Sequence, residues 1–341
     1  MLPPFSRRHT EKLAKSVSYP DTTLMPAITF QPLYKERLWG GRSLETIYGR
    51  TLPLPDVPFG EAWEIVDRED AQSIVCGGKF SGMTLHDLWK WHRGEIFGER
   101  LPLADRFPLL IKILDSADDL SIQVHPPASI AGQLGGEPKT EMWFIADAKP
   151  GAKLYVGLRE GATRESFEHS IAVGSVAEQV HVIMPRKGDS IFIESGRIHA
   201  IGAGFLIHEI QQNSDTTYRV FDWNRTDPMG KPRDLHVAES LSCIDFKDIE
   251  PGMDTQGGSA SSYPATLASC PFFQTTLHQL APGEAIFNPV PDLFSLITVV
   301  EGCLENTHKS GQTLLLPRGA DGLIATAPTQ LLQITIPCEA C

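Results

Sequence analysis

From Ile28 onward the chain is built of short apolar or alternating runs, such as residues 107–114, 190–193 and 205–210, broken by Gly, Pro and Asp. Runs of this length and texture predict β-strands rather than helices. Two stretches depart from it. Residues 84–97 begin with Thr84 as a helix cap and put Leu85, Leu88 and Trp89 on one face, and residues 163–180 begin with a second cap, Thr163. Both are expected to be helical insertions on a β scaffold. Residues 248–262 contain Gly252, Gly257, Gly258 and a Ser-Ala-Ser-Ser run, a linker composition. Beyond them lie four more short strand-like runs, at 272–280, 293–300, 312–316 and 330–336.

At 341 residues the chain exceeds the size at which one hydrophobic core usually stops growing. Three parts are therefore expected: a polar, basic tail at 1–26, a larger unit at 27–250 and a smaller β unit at 262–341. Apolar residues make up 41% and no apolar run is long enough to cross a bilayer, so no membrane partner is expected. A formal net charge of -12 opposes binding to nucleic acid, and any anionic ligand needs a local cationic pocket. Six scattered cysteines without a secretory segment point to reduced thiols and a cytoplasmic location. Cys338 and Cys341 form a CxxC, but it does not open a helix as redox motifs do.

The chemistry changes the picture most between residues 120 and 200. Gln123 and His125 are two apart, so on a strand both side chains project from one face. Glu141 follows a glycine-rich loop and leads into the apolar run 142–145, which a turn could bring alongside. His199 stands three residues after Gly196, which turns the chain at the end of another strand. Two imidazoles, a carboxylate and an amide oxygen suit zinc, and would accept cobalt, manganese or iron(II). One divalent ion is expected.

This arrangement resembles the cupin superfamily, whose second motif has the spacing of Gly188, Gly196 and His199. The resemblance implies a mainly β protein of two cupin-like β-barrel (jelly-roll) units, with the helical insertions in the N-terminal catalytic part. Gly311, Pro317 and Gly319 repeat the motif, but Gly322 stands in the histidine's place, so the second unit is expected to be metal-free.

A narrower resemblance is carried by KILD at 112–115, LSIQVHP at 120–126, KTEMW at 139–143, RIHAIG at 197–202 and EIQQNSDTTYR at 209–219. LWGG at 38–41 and GEAWE at 60–64 extend it. These strings are similar to the type I mannose-6-phosphate isomerases in their short bacterial form. The resemblance implies a zinc ion on Gln123, His125, Glu141 and His199, and a small-molecule sugar phosphate as substrate. It also implies a catalytic arginine at Arg219, phosphate binding by Lys112 and Ser121, and a further cation near the substrate at Arg225. The reaction moves a proton between C1 and C2 through a cis-enediol, and Glu209 stands first as the base, ahead of Lys139 and His208. Trp39, Trp63, Trp143 and Trp223 are read as core. An iron dioxygenase and a non-catalytic sugar-binding module are the rival readings, and the oligomeric state is left open.

Overall fold

The computed structural model describes residues 25–226, 229–254 and 262–338. Most of the expected tail, part of the 248–262 linker and Cys341 lie outside them. Three large antiparallel sheets and a few short helices make up the described chain, a mainly β structure.

The alternating runs set the layers. In the six-stranded sheet of Leu33–Gly41, Phe59–Ile65, Leu109–Ser116, Phe205–Gln212, Glu141–Ala148 and Ser190–Ile193, successive residues serve opposite faces. Leu114, Trp143, Ile145 and Ile207 pack inward with Leu154, Val156 and Ile201 of a facing five-stranded sheet. That second sheet orders Tyr218–Phe221, Ile122–Val124, His199–Ile201, Leu154–Leu158 and Val180–Ile183. Its outer face carries Ile122, Val124 and Ala200, covered by Phe167 and Cys243 of the helices Arg164–Val173 and Val237–Cys243.

The other face of the six-stranded sheet is not left to water. Ile111, Met142, Phe144 and Ile210 share one buried cluster with Leu277, Leu296, Leu332 and Ile334 of the C-terminal sheet. The helical insertion at 84–97 fills the same seam. Phe97 and Phe107 both meet Phe294 edge-on, with ring centroids 5.0 and 5.8 Å away. The C-terminal sheet also takes in a strand from the far end of the chain: Ile28–Thr29 pairs antiparallel with Leu315 and Leu314. In this part Gly322 leaves no room for a side chain, because the Phe287 ring stands where its Cβ would be.

The helical insertions are shorter than the sequence suggests. Thr84 forms a full capping box with Asp87, but the helix Leu85–Trp91 stops at His92 and a new turn, Arg93–Ile96, follows. Thr163 caps Arg164–Val173, and Gly174 in the left-handed region ends it, so residues 176–179 are a separate 3-10 turn.

Candidate active site

Two rows of side chains face each other across the gap between the inner sheets. On the five-stranded sheet, Gln123 is the direct cross-strand partner of both His199 and Arg219, so three neighbouring strands set Arg219, Gln123 and His199 side by side. On the six-stranded sheet, Glu209 is the partner of both Lys112 and Trp143, and Glu141 lies two residues before Trp143 on the same face. The rows border a cavity of about 470 Å³ whose walls include Lys112, Ser121, Gln123, Lys139, Trp143, Glu209 and Arg219.

His125, Glu141 and His199 are buried and their ligand atoms lie within 4.8 Å of one another. Glu141 spans the pair, with Oε2 3.6 Å from His125 Nε2 and Oε1 3.7 Å from His199 Nε2. The two Glu141 separations are close to the roughly 3.3 Å between neighbouring ligands on a tetrahedral divalent ion, so the set can converge on one centre. His125 Nδ1–H donates to the Thr216 carbonyl at 2.9 Å, and His199 Nδ1–H to the Arg197 carbonyl at 2.9 Å. Both bonds fix the tautomer that leaves Nε2 as a lone pair facing inward. His125 Nε2 and Glu141 Oε1 have no hydrogen-bond partner although buried. Orphaned donors of this kind are what a cation would satisfy. Gln123 Nε2 lies 3.3 Å from His199 Nε2, and half a turn of the amide would offer its oxygen at that point. The residues fit a divalent metal.

The electrostatics follow from burial. Burial drives the His125 pKa down to about 3, with Lys139 adding to the shift, and lowers His199 as well, so both imidazoles are neutral. Burial alone would raise Glu141, but Lys139 and His125 hold it well below the usual carboxylate range. Lys139 Nζ is 2.7 Å from Glu141 Oε2 and 3.9 Å from Glu209 Oε1. Burial works against the lysine's charge, and the two carboxylates outweigh it, so it stays protonated. Glu209 is pushed up to about 7 by burial and by the charge of Glu141, against Lys139 and Lys112. Trp143 Nε1–H donates to Glu209 Oε1 at 3.2 Å, so this buried tryptophan also serves the site wall.

Other expected site residues are distributed unevenly. Ser121 accepts from Arg219 Nε at 3.1 Å and donates to Gln123 Oε1 at 3.3 Å. Lys112 lines the cavity between Glu209 at 3.5 Å and Asp215 at 3.8 Å, above the Trp63 ring. Arg225 does not line the cavity. Its guanidinium is drawn to Asp222 at 2.7 Å and Asp118 at 3.4 Å. His208 points to the opposite face of its strand from Glu209, meets the Tyr48 hydroxyl at 2.8 Å and does not line the cavity. Arg37, Glu61 and Arg233 also face the cavity, and nothing in the spacing of the sequence singled them out.

Residues 28–143 match the phosphomannose isomerase type I catalytic domain. The mannose-6-phosphate isomerase ManA of Bacillus subtilis is 37% identical over 303 residues, covering 85% of this chain and 92% of that protein. The mannose-6-phosphate isomerase of Streptococcus mutans is 33% identical over 83% of this chain and 89% of that protein. The crystal structure of the Bacillus subtilis mannose 6-phosphate isomerase superposes with a TM-score of 0.81 at 30% identity, over 92% of this chain and 100% of that one. With the paired sheets, the buried donor set and this likeness running over most of the chain, the protein belongs to the type I phosphomannose isomerase family.

Proposed function

We propose that the cavity interconverts mannose 6-phosphate and fructose 6-phosphate, with one zinc ion held by Gln123, His125, Glu141 and His199. The observation that carries this reading is the opposition of the two rows. A buried donor set with unsatisfied lone pairs stands across from a carboxylate, Glu209, poised near neutral pH, and beside an arginine, Arg219, that has no carboxylate partner among the described residues.

The hydrogen beside a sugar carbonyl is a weak acid, so the negative charge of the enediolate must be spread. The divalent ion, when bound, supplies Lewis-acid stabilisation of that charge. Glu209 removes the C2 proton of the aldose, and Lys139 gives a proton to the carbonyl oxygen, which yields the cis-enediol. In the second half Glu209 returns its proton to C1 while Lys139 recovers one from the C2 hydroxyl, so protons balance. Trp143 and Lys112 orient Glu209. Arg219 supplies a fixed positive charge on the substrate side, and Ser121, which it contacts, faces the phosphate. Lys112 completes the wall nearest Glu209.

The metal-binding unit spans 27–250 and the metal-free unit 262–341 in this reading, supported by the position of every proposed ligand before residue 250 and by the Phe287 ring against Gly322. No helix among the described residues is long and apolar enough to cross a membrane. The test pairs elemental analysis of the purified protein with a coupled assay on fructose 6-phosphate and mannose 6-phosphate. One zinc per chain, turnover in both directions, and loss of both on chelation are expected. Absence of interconversion, or oxygen uptake by the iron-loaded protein, would overturn the reading.

A further inference from the structure

The cations of the cavity differ in what surrounds them. Three of them stand on or beside the six-stranded sheet, each with a carboxylate at hand: Lys139 with Glu141 at 2.7 Å, Lys112 with Glu209 at 3.5 Å, and Arg37 with Glu61 at 3.0 Å. Arg37 is fully engaged, since Nε and Nη2 both go to Glu61 and Nη1 to the Glu36 carbonyl. An incoming phosphate would meet a carboxylate beside each of these three cations.

Beyond Ser121 stand two guanidiniums, one with no carboxylate partner among the described residues and one that keeps a nitrogen open beside its carboxylate. Arg219 donates through Nε to Ser121 and through Nη1 to the Asp234 carbonyl at 2.9 Å, and its Nη2 has no partner among the described residues. Arg233, next to Asp234, grips both oxygens of Asp222 through Nε, at 2.7 Å, and Nη2, which likewise leaves Nη1 without a described partner. Both arginines line the cavity. Burial and the nearby charge of Arg233 make the positive charge of Arg219 costly, the condition that an anion would relieve.

Asp222 makes this arrangement. It is 6% exposed and binds two arginines, Arg233 and Arg225. Trp223 and Asn224, both in the left-handed region at φ 56° and 57°, fold the chain back so that the Arg225 amide meets the Asp222 carbonyl at 3.0 Å. Trp223 Nε1–H fastens the turn to the Leu120 carbonyl at 2.7 Å, next to Ser121. Strained backbone of this kind in non-glycine residues persists where surrounding bonds enforce it. Farther on, the His236 amide bonds the Arg219 carbonyl at 2.8 Å, closing the loop over the strand that bears Arg219.

We propose that Arg233, with Arg219 and Ser121, seats the phosphate of the sugar phosphate, and that Asp222 is the positioning residue that aims Arg233 into the cavity. This rests on the sugar-phosphate reading above and assigns its phosphate to guanidiniums with open donors rather than to Arg225. A terminal phosphate offers three oxygens, and guanidinium forks match them in geometry as well as charge.

The test uses the full-length metal-loaded protein and the variants Arg233→Ala, Arg233→Lys and Asp222→Asn, with Lys187→Ala, an exposed cation paired to Glu301, as a charge-matched control. Arg233→Ala should raise KM for fructose 6-phosphate and weaken inhibition by inorganic phosphate by about 10- to 100-fold, the worth of one charge-assisted bond. Metal content should be unchanged and kcat should move far less than KM. Arg233→Lys keeps the charge without the fork and should recover part of the loss, and Asp222→Asn should shift KM in the same direction as Arg233→Ala. Parental KM and phosphate inhibition in both Arg233 variants, or a fall in kcat at constant KM, would overturn the proposal. Calorimetric titration of inorganic phosphate needs no turnover, so it decides the seat even if the parent protein fails on hexose phosphates and the functional reading falls.

Discussion

His199 and Arg219 flank Gln123 on one inner face, yet their substitutions should fail differently. His199→Ala removes a donor, so metal content and turnover should fall together, whereas Arg219→Ala should keep the metal, raise KM through the lost phosphate contact and, unlike Arg233→Ala, also lower kcat by roughly 10²-fold or more. Elemental analysis beside the coupled assay separates the two outcomes, and normal turnover in Arg219→Ala would remove its catalytic role. His208 supplies a contrast one residue from Glu209. Its imidazole is buried, and burial takes its pKa from 6.5 to about 3, with the Arg50 charge adding to the shift. The folded state therefore binds fewer protons than the unfolded one between those values. Its cost to stability is absent above pH 6.5 and grows as pH falls, by at most about 1.4 kcal/mol per pH unit. His208→Gln should show a shallower loss of stability than the parent on acidification from pH 6 to 4, read by urea unfolding. Parallel slopes would contradict this. That Gln123 and His125 share one face was legible because alternation on a strand fixes it, and His125, Glu141 and His199 do come together. Arg233 was not legible, because an arginine between proline and aspartate in a loop reads as a surface charge until Asp222 is seen to hold it.

At the scale of elements, caps were easier to read than ends. Thr84 was identified as a cap from its position before an apolar face, and both halves of its box with Asp87 form. Thr84→Ala should cost about 1 kcal/mol in chemical denaturation, with KM unchanged because the helix lies behind the six-stranded sheet. A difference within error would mean the helix is held by packing of Leu85, Leu88 and Trp89 alone. The break at His92 escaped the sequence because Trp91 and Arg93 continue a plausible helical pattern. The reason for the break lies elsewhere in the chain: the turn Arg93–Ile96 offers its carbonyls to Arg318, with Gly94 accepting from Nη1 at 3.0 Å and Ile96 from the backbone amide at 2.8 Å. Partners more than two hundred residues away leave no local trace. The strands fared better, since inner and outer faces alternate where both are packed, as in Trp143 and Phe144.

At the scale of the whole molecule, the buried cluster around Phe294 ties the C-terminal sheet to the back of the sheet that bears Glu141 and Glu209. Phe294→Ala should cost about 3–5 kcal/mol, because the seam is walled by Phe97, Phe107 and both sheets and has little room to collapse. All six tryptophans precede residue 262, so their fluorescence reports the larger part while far-UV circular dichroism reports both. The two probes should give coincident unfolding curves, and separated transitions would show that the parts unfold independently.

The strand Ile28–Thr29, seated beside Leu314 and Leu315, sets a further condition on how the protein is made. On a ribosome this segment emerges long before Leu314 and Leu315, its pairing partners. Its backbone groups must wait, solvated or held by a chaperone, until those residues have left the ribosome. Pairing of such distant segments is slow because closing a large loop is entropically costly. A stalled or prematurely terminated nascent chain would therefore present an unpaired edge and the uncovered backs of Ile111, Phe144 and Ile210, a surface prone to aggregation rather than a working half-enzyme.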